Sequence, residues 1–365
     1  MRKGLVIDLE DSATCIREVV GFAERMAGSK VTSLYVGLSA SHAFLSPSKG
    51  IVAVTSDDHE ISHQDVERVM QAASVVSLPP NREVLEVVSK QFVIDGYSGF
   101  KDPIGMVGMR LELDALLVIG NLTAVSNLRR SVTHAGFEIA GFVLKSLALG
   151  EYLLTADECE LGVALLDIGA SAVEMAYFEG GAIRNIGVVP LGGHSVTNDL
   201  AMGLRTSSII AERIKMDYDF FSAQQEDKWI DLAVFGGQEP RRVSTKVIVD
   251  MIEPRYDEIF RLVRDEIARF KVGEILPAGI VVSGGVAKTK GIGVLLKRYF
   301  PSNSSRLGLN LHETVDDVGY NTVLSIINYA YALNSRTKDR NSGESQKKSG
   351  GIISRFKDFL KDFWE

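Results

Sequence analysis

The apolar positions between residues 161 and 193 predict three consecutive strands. GVALLDIG is the nearly continuous apolar run of a buried strand, AVEMAYF alternates apolar and polar positions, and AIRNIGVVPLGG is a third apolar run. The EGG between the second and third runs predicts a tight turn. A strand that ends in Asp-x-Gly at a sharp bend can present backbone N–H groups to a phosphate and its Asp to a metal ion. Ordinary hairpins share this ending, so the motif alone leaves both interpretations open.

A second apolar run, GIVVSGG, predicts another buried strand, with a helix following from about Gly291. Its Gly284 and Gly285 would let the backbone approach a flat ligand closely. Between the two loops, SSIIAERIKMDY predicts a helix that carries Glu212 and Lys215 on one face, because they lie three residues apart. This combination predicts a nucleotide cleft. The alternative is a pair of ordinary strand turns beside a solvated helix.

The C-terminal segment 352–365 predicts an amphipathic helix. Its polar face carries Arg355, Lys357 and Lys361 together with two Asp. Its apolar face consists of Ile352, Ile353, Phe356, Phe359, Leu360, Phe363 and Trp364. Residues 335–351 are polar, rich in Gly and Ser and free of aromatics, which predicts a disordered linker. A helix on such a tether favours the interface of an anionic membrane, and the alternatives are a partner's groove or the protein's own core.

Charge separates this tail from the rest of the chain. The formal net charge is −7, yet the residues from Ser335 onward carry eight Lys/Arg against five Asp/Glu. An acidic body argues against nucleic acid as a partner. No apolar run reaches the roughly 20 residues of a membrane-spanning helix, and MRKGLVIDLEDSA lacks the apolar core of a signal peptide.

Longer stretches resemble the FtsA family of bacterial cell-division proteins, within the actin/Hsp70/sugar-kinase superfamily. The most specific are KDPIGMVGMRLE and PLGGHSVTNDLAMGLRT, since nucleotide binding in general does not demand them. The resemblance implies an α/β, actin-like (ribonuclease H-like) fold with two lobes around an ATP cleft and an inserted subdomain. The implied boundaries are 1–32 and 119–160 for the first lobe, 33–118 for the insert, 161–202 and 276–334 for the core of the second lobe, 203–275 for its upper subdomain, 335–351 for the linker and 352–365 for a membrane-targeting helix.

The family resemblance also implies a function and a location. FtsA-like proteins tether the ring of the tubulin-like protein FtsZ to the cytoplasmic face of the inner membrane at the division site. They are peripheral scaffolds that self-assemble through the insert and recruit later division proteins. The FtsZ tail binds the upper subdomain, where Arg255, Glu258 and Arg261 are candidate contacts. The alternatives are an actin-like platform protein of type IV pilus assembly and a sugar kinase of the same superfamily.

The implied cofactor is ATP with Mg²⁺, and no catalytic residue is assigned. The residues implied to bind it are Asp167, Gly169, Ser171, Glu212, Lys215, Gly284 and Gly285, with Asp167 also facing the metal. The loop reads DIGASAVE where the family pattern resembles DIGGGTTD, and Val286 replaces a third glycine of the adenosine loop. Added Cβ atoms and lost hydroxyls predict binding with weak or absent hydrolysis.

The resemblance implies a duplicated fold, in which each half should open with its own strand–DxG–strand hairpin, but the two halves of this chain differ in this feature. The second half has a strand–DxG–strand hairpin, but the first half has no counterpart of it. Instead, LVIDLEDSATCIREVV resembles the end of a third strand followed by the first helix. Either the start codon is assigned too late, or the protein lacks these opening strands and the first phosphate loop, in which case a sheet edge is expected to be open.

Overall fold

The computed structural model describes residues 5–217, 221, 228–235, 242–309 and 317–341. The helices are α1 (Leu9–Ala27), α2 (His63–Ser74), α3 (Leu122–His134), α4 (Lys145–Leu153), α5 (Ala156–Leu161), α6 (Gly193–Leu204), α7 (Ser208–Asp217), α8 (Thr245–Arg269), α9 (Ile292–Tyr299) and α10 (Asn321–Asn341). The strands are β1 (Ser33–Leu38), β2 (Ala43–Ala53), β3 (Arg82–Ile94), β4 (Tyr97–Phe100), β5 (Arg110–Asn121), β6 (Glu138–Leu144), β7 (Val163–Ile168), β8 (Val173–Glu179), β9 (Ala182–Val189), β10 (Trp229–Asp231), β11 (Arg242–Ser244), β12 (Ile280–Ser283) and β13 (Ser305–Leu307). Within this part of the chain, no helix has the length and apolarity needed to cross a bilayer.

The second lobe is built on a five-stranded sheet in the order β13-β12-β7-β8-β9. The three strands predicted from the apolar pattern are β7, β8 and β9, which pair antiparallel, while β12 and β13 add in parallel. Gly180 and Gly181 form the turn between β8 and β9 with φ of 58° and 70°, as a type I′ hairpin requires. The sequence prediction of this hairpin is confirmed.

Strand β7 is apolar at successive positions because both of its faces are covered. Leu166 and Ile168 point into a core shared with α6 and α8, whereas Val163 and Leu165 point into a second core on the opposite face. Alternate side chains of a strand face opposite sides of the sheet, so a strand buried on both sides loses its polar alternation. The continuous apolar run therefore marks the centre of the lobe.

The first lobe has a much smaller sheet among the described residues. Strand β1 pairs in parallel with β6, and these two strands make up the sheet. Residues 5–8, predicted as the end of a strand, belong to none of the named strands; instead Asp8 caps α1 by accepting a hydrogen bond from the Asp11 N–H at 2.9 Å. On α1, Val19 and Phe22 are 67% and 61% exposed. The described part of the first lobe thus has no equivalent of the β7–β9 hairpin.

The insert is a four-stranded antiparallel sheet in the order β2-β5-β3-β4, with α2 packed on one face. Its helix α2 begins after Ser62, because Ser62 and Asp65 form a reciprocal capping box. The predicted boundary at residue 33 was wrong: Ser33–Leu38 is β1 of the first lobe. Parallel strands need a long crossover connection, and the insert with α3 supplies the crossover from β1 to β6.

The opposite face of the insert sheet joins the core of the body. Leu116 and Val118 of β5 lie in one buried cluster with Leu165 of β7 and Phe178 of β8. The insert and the second lobe therefore share an interior.

The C-terminal helix α10 extends further than the sequence predicts. It continues to Asn341, so residues 335–341 are helical although they were assigned to the linker. This stretch holds no Gly or Pro to end a helix, and Lys and Arg are good helix formers. The rest of the predicted linker and the amphipathic segment 352–365 lie outside the described residues, so the linker and the membrane-targeting helix remain predictions.

Candidate nucleotide-binding cleft

The predicted phosphate loop is a tight bend fastened to a helix. The Gly169 N–H donates to the Ala172 carbonyl at 3.0 Å, which closes the bend. The first N–H groups of α6 then donate back to the loop, from Gly193 to the Gly169 carbonyl at 3.0 Å and from His194 to the Ala170 carbonyl at 2.8 Å. Ser171, predicted to bind nucleotide, lies exposed on this bend. The start of α6 is therefore occupied by the loop's own carbonyls.

Asp167 is the penultimate residue of β7 and lies beside the second glycine loop, Gly284 and Gly285. Burial raises the pKa of its carboxyl to about 6, and the nearby positive charge of Lys145 acts in the opposite direction. A Cβ on Gly284 would lie 2.6 Å from Asp167 Oδ1 and from the Ile168 carbonyl oxygen, and its φ is 91°. Only glycine fits this approach. The fold thus brings Asp167, Gly169 and Gly284 together, as the sequence predicts.

Lys215 of α7 is almost completely buried and fully engaged. Its Nζ donates to Glu212 Oε2 at 2.7 Å, to Thr197 Oγ1 at 3.0 Å and to the Gly193 carbonyl at 3.2 Å. Burial works to raise the pKa of Glu212, but the hydrogen bonds from Lys215 and Thr197 outweigh it and hold that pKa below its ordinary value. The predicted Glu212–Lys215 face exists, and its lysine is held by protein groups.

A cavity of about 570 Å³ opens between α6, α7 and the second glycine loop. Its size lies within the range of small-molecule sites, roughly 300–1,000 Å³. It is lined by Ala170, Gly193, His194, Thr197, Ser208, Ile209, Glu212, Arg213, Lys215, Met216, Gly285, Val286 and Lys288. Three predicted residues, Glu212, Lys215 and Gly285, therefore face one cavity. His194, Arg213 and Lys288 also line it and were not predicted.

Glu174 is a further residue of the cleft that the sequence did not single out. It lies directly opposite Asp167 in the β7–β8 pair and is only 7% exposed. Its carboxylate accepts hydrogen bonds from first-lobe groups: Ser39 Oγ at 2.8 Å, the Ala40 N–H at 3.1 Å and Lys145 Nζ at 2.5 Å. The side chains of β8 are buried from Val173 to Phe178, and a glutamate among them is the signal that could have revealed this residue. Glu174 joins the two lobes at the floor of the cleft.

The carboxylates near Asp167 show whether this site could hold the expected Mg²⁺. Among the described residues, no group of three or more His, Cys, Asp or Glu side chains could hold a metal ion. Glu174 is already paired with Lys145, which leaves Asp167 as the carboxylate facing the loop. Mg²⁺ commonly binds one or two carboxylates together with substrate phosphates. The donor set fits an ion that arrives with a nucleotide and does not fit a resident ion.

The three residues predicted to contact FtsZ differ in their surroundings on α8. Arg255 donates from Nε to Asp199 Oδ2 of α6 at 2.6 Å and is also paired with Glu258. Arg261 is exposed, and the described residues give it no hydrogen bond or ion pair. Arg255 and Glu258 therefore serve the packing of α8 on α6, while Arg261 remains available at the surface.

Two family models match the chain. The model described as "SHS2 domain inserted in FTSA" matches residues 40–119, and "Cell division protein FtsA" matches residues 164–325. The chain is 35% identical over 361 residues to cell division protein FtsA of Pseudomonas aeruginosa, covering 97% of this chain and 84% of that protein. It is also 35% identical over 345 residues to FtsA of Bacillus subtilis, covering 94% and 78%.

Solved structures confirm the fold at low sequence identity. The "PilM-PilN type IV pilus biogenesis complex" aligns with a TM-score of 0.60 and 17% identity, covering 90% of this chain and 88% of that chain. MreB5 of Spiroplasma citri bound to ADP aligns with a TM-score of 0.58 and 11% identity, covering 93% and 80%. At such identities the likeness concerns the actin-like two-lobe fold alone. The two family models and the 35% identity to the curated relatives over most of the chain show that this chain belongs to the FtsA family of cell-division proteins.

Proposed function

We propose that this cell-division protein tethers the FtsZ ring to the cytoplasmic membrane and helps to recruit later division proteins. The observation that carries the proposal is that the family match covers both the insert and the second lobe, residues 40–119 and 164–325. These are the parts through which FtsA-like proteins self-assemble and hold FtsZ. The protein then acts as a peripheral scaffold on the cytoplasmic face at the division site, in several copies, with FtsZ and anionic lipid as partners and no nucleic acid.

The cleft binds ATP as a brace between the lobes. Support comes from the cavity lined by Glu212, Lys215 and Gly285, and from the ADP bound to the similarly folded MreB5. Asp167 would be the one protein ligand of a Mg²⁺ carried by the nucleotide, and that ion would neutralise phosphate charge. Gly169 and Gly284 permit close approach of the backbone, and Ser171 lies on the exposed bend.

Hydrolysis by this cleft is weak or absent. The loop carries Ala170 and Ala172 where the family pattern has a glycine and a threonine, and Lys215 is held by Glu212, Thr197 and Gly193. A scaffold needs only ligand binding to one arrangement of its lobes, since binding alone shifts a conformational equilibrium. ATP turnover by the purified protein that is abolished by Asp167→Ala would contradict this part of the proposal.

Membrane attachment is tested by removing the tail at the end of α10. The full chain should co-sediment with vesicles containing anionic lipid, whereas a chain ending at Asn341 should remain in solution. Phe359→Asp should reduce co-sedimentation strongly, because it places a charge in the predicted apolar face. Asp362→Asn, on the polar face, should keep it. Equal binding of the full and shortened chains would overturn the tethering proposal.

The same experiment addresses the pilus-platform alternative. A platform protein of that kind recruits an integral membrane partner, so its own tail would be dispensable for vesicle binding. A sugar kinase would transfer phosphate to a sugar, and a panel of sugars with labelled ATP would reveal it. Identity of 35% over nearly the whole chain favours the division scaffold over both.

A further inference from the structure

A second cavity, of about 460 Å³, lies where the insert meets the second lobe, and we call it the junction pocket. The insert contributes residues of β2, β3 and β5, and the second lobe contributes Gly180 of the β8–β9 turn and the first residues of β9. It is lined by Pro47, Ser48, Lys49, Lys90, Gln91, Asp114, Ala115, Gly180, Ala182 and Arg184. The turn is at the far end of β8 from the phosphate loop, on the order of 20 Å away at about 3.4 Å per residue. The junction pocket is therefore distinct from the nucleotide cleft.

The junction pocket contains more positive charge than its own carboxylate can neutralise. Asp114 is the acidic residue among its lining residues, beside Lys49, Lys90 and Arg184. In the sheet register Asp114 lies opposite Lys49 on one side and Gln91 on the other. Lys49 Nζ lies 2.9 Å from Asp114 Oδ1, and Gln91 Nε2 donates to Asp114 Oδ2 at 2.8 Å. Both carboxylate oxygens are thus engaged within the insert.

Lys90 and Arg184 are left without a carboxylate partner among the described residues. Arg184 donates from Nε to the Glu179 carbonyl at 2.8 Å, which fixes its guanidinium over the turn. A Cβ on Gly180 would lie 2.7 Å from Arg184 Nη2, so this placement depends on the glycine turn. Burial lowers the pKa of Lys90, the charge of Arg184 lowers it further, and Asp114 opposes them as the smallest influence. The two cations therefore line one cavity, and at Lys90 the repulsion from Arg184 exceeds the attraction of Asp114.

We propose that the junction pocket binds a small phosphate-bearing ligand, either free phosphate or a phosphate monoester, between Lys90 of the insert and Arg184 of the second lobe. A dianionic phosphate matches the two cations, neither of which has a carboxylate in an ion pair with it among the described residues. Arginine offers a planar pair of donors to phosphate oxygens, and lysine adds a compact point charge. The cavity volume limits the ligand to a small molecule. Because one cation lies on each subdomain, the bound ligand would cross-link the insert to the body.

Calorimetric titration of the full chain with inorganic phosphate, and separately with glycerol phosphate, tests the proposal. Both titrations are run against chloride at matched ionic strength, because general screening would otherwise imitate binding. Lys90→Met and Arg184→Met should each weaken binding about tenfold or more, as expected for the loss of a charged hydrogen bond. Lys297→Met, an exposed lysine of α9, should leave the affinity unchanged. Tighter binding of one ligand identifies the source of the phosphate.

Thermal unfolding supplies a second readout that does not depend on the heat of binding. Phosphate should raise the Tm of the wild type, because a ligand bound only by the folded state stabilises it. The increase should vanish in Lys90→Met and Arg184→Met, both of which alter side chains with solvent access and so keep the fold. The proposal is overturned if phosphate gives no binding, or if Lys297→Met loses as much affinity as the two pocket variants.

Discussion

Lys145 of the first lobe and Glu174 of the second form an ion pair across the floor of the cleft, with Nζ and Oε1 2.5 Å apart. Ser39 and the Ala40 N–H donate to the same carboxylate. Lys145 begins α4 directly after β6, and Glu174 lies in β8, so the pair joins two elements far apart in the sequence. The two lobes are therefore linked by the protein's own groups beside Asp167.

Glu174→Ala should destabilise the protein by about 2 kcal/mol, because it leaves Lys145 and the Ala40 N–H without their acceptor in a buried place. Urea unfolding at neutral pH measures the change. Glu138→Ala is the control, since Glu138 begins strand β6 and is exposed, and it should change stability by about 0.5 kcal/mol or less. Equal losses in the two variants would contradict a structural role for the Lys145–Glu174 pair.

Gly284→Ala should cost about 2 kcal/mol or more, because the added Cβ collides with Asp167 and the Ile168 carbonyl at a φ of 91°. The adjacent Gly285→Ala is the control, since its Cβ would meet nothing within 4 Å. Thermal unfolding gives the Tm of both variants, and the Tm should fall for Gly284→Ala but change little for Gly285→Ala. A Tm for Gly284→Ala as high as that of Gly285→Ala would show that the loop relaxes without cost.

The ion pair of Glu158 with Arg306 makes stability depend on pH. Arg306 donates to both carboxylate oxygens at 2.7 Å, and these bonds hold the pKa of Glu158 below its ordinary value of 4.5 despite its burial. A lowered folded-state pKa adds stability that is complete above pH 4.5 and is lost as the pH falls toward the folded value. Glu158→Gln should cost about 1 kcal/mol at pH 7 and less at low pH.

Urea unfolding of the wild type and Glu158→Gln across the acidic range checks this dependence. Gln can still accept the Thr155 N–H that Glu158 accepts at 2.8 Å, so the helix cap of α5 is retained and only the charge is removed. A difference between the two proteins that stays constant with pH would exclude the ion pair as its cause.

Arg255 and Arg261 should respond differently in FtsZ binding. Arg261→Glu should weaken binding of an FtsZ C-terminal peptide and leave the Tm unchanged, because Arg261 is exposed. Arg255→Ala should lower the Tm, because it breaks the contact with Asp199 that holds α8 on α6. Fluorescence anisotropy with a labelled peptide, next to thermal unfolding, distinguishes the two effects. If the peptide binds Arg261→Glu as tightly as it binds the wild type, Arg261 does not contact FtsZ.

Local sequence signals predicted the second lobe well because each is satisfied within a few residues. The Gly-Gly turn between β8 and β9 and the apolar run of β7 depend on neighbours in the chain. These features need no knowledge of distant segments. The sequence indicated Gly284 as a point of close backbone approach to a ligand, and the structure shows that protein groups, Asp167 and the Ile168 carbonyl, lie close to it.

Contacts between distant segments were beyond prediction from the sequence. Nothing near Glu174 in the chain indicates that its partners are Ser39 and Lys145, and nothing near Lys90 indicates Arg184. The boundary of the insert failed for a similar reason, because β1 is assigned by its pairing with β6 about a hundred residues later. Helix α10 continues beyond residue 334, after which the predicted linker begins, because a polar composition does not by itself end a helix.

The shared interior of β5 and β7 limits how this protein can be rebuilt. Leu116 and Val118 pack in the same buried cluster as Leu165 and Phe178. Deleting residues 43–121 would therefore expose apolar side chains of the remaining molecule to solvent. Grafting the corresponding piece from a relative would succeed only where side-chain volumes match on both sides of that seam. The insert therefore cannot be exchanged on its own, and substitutions in it must be matched by substitutions in the second-lobe residues that it contacts.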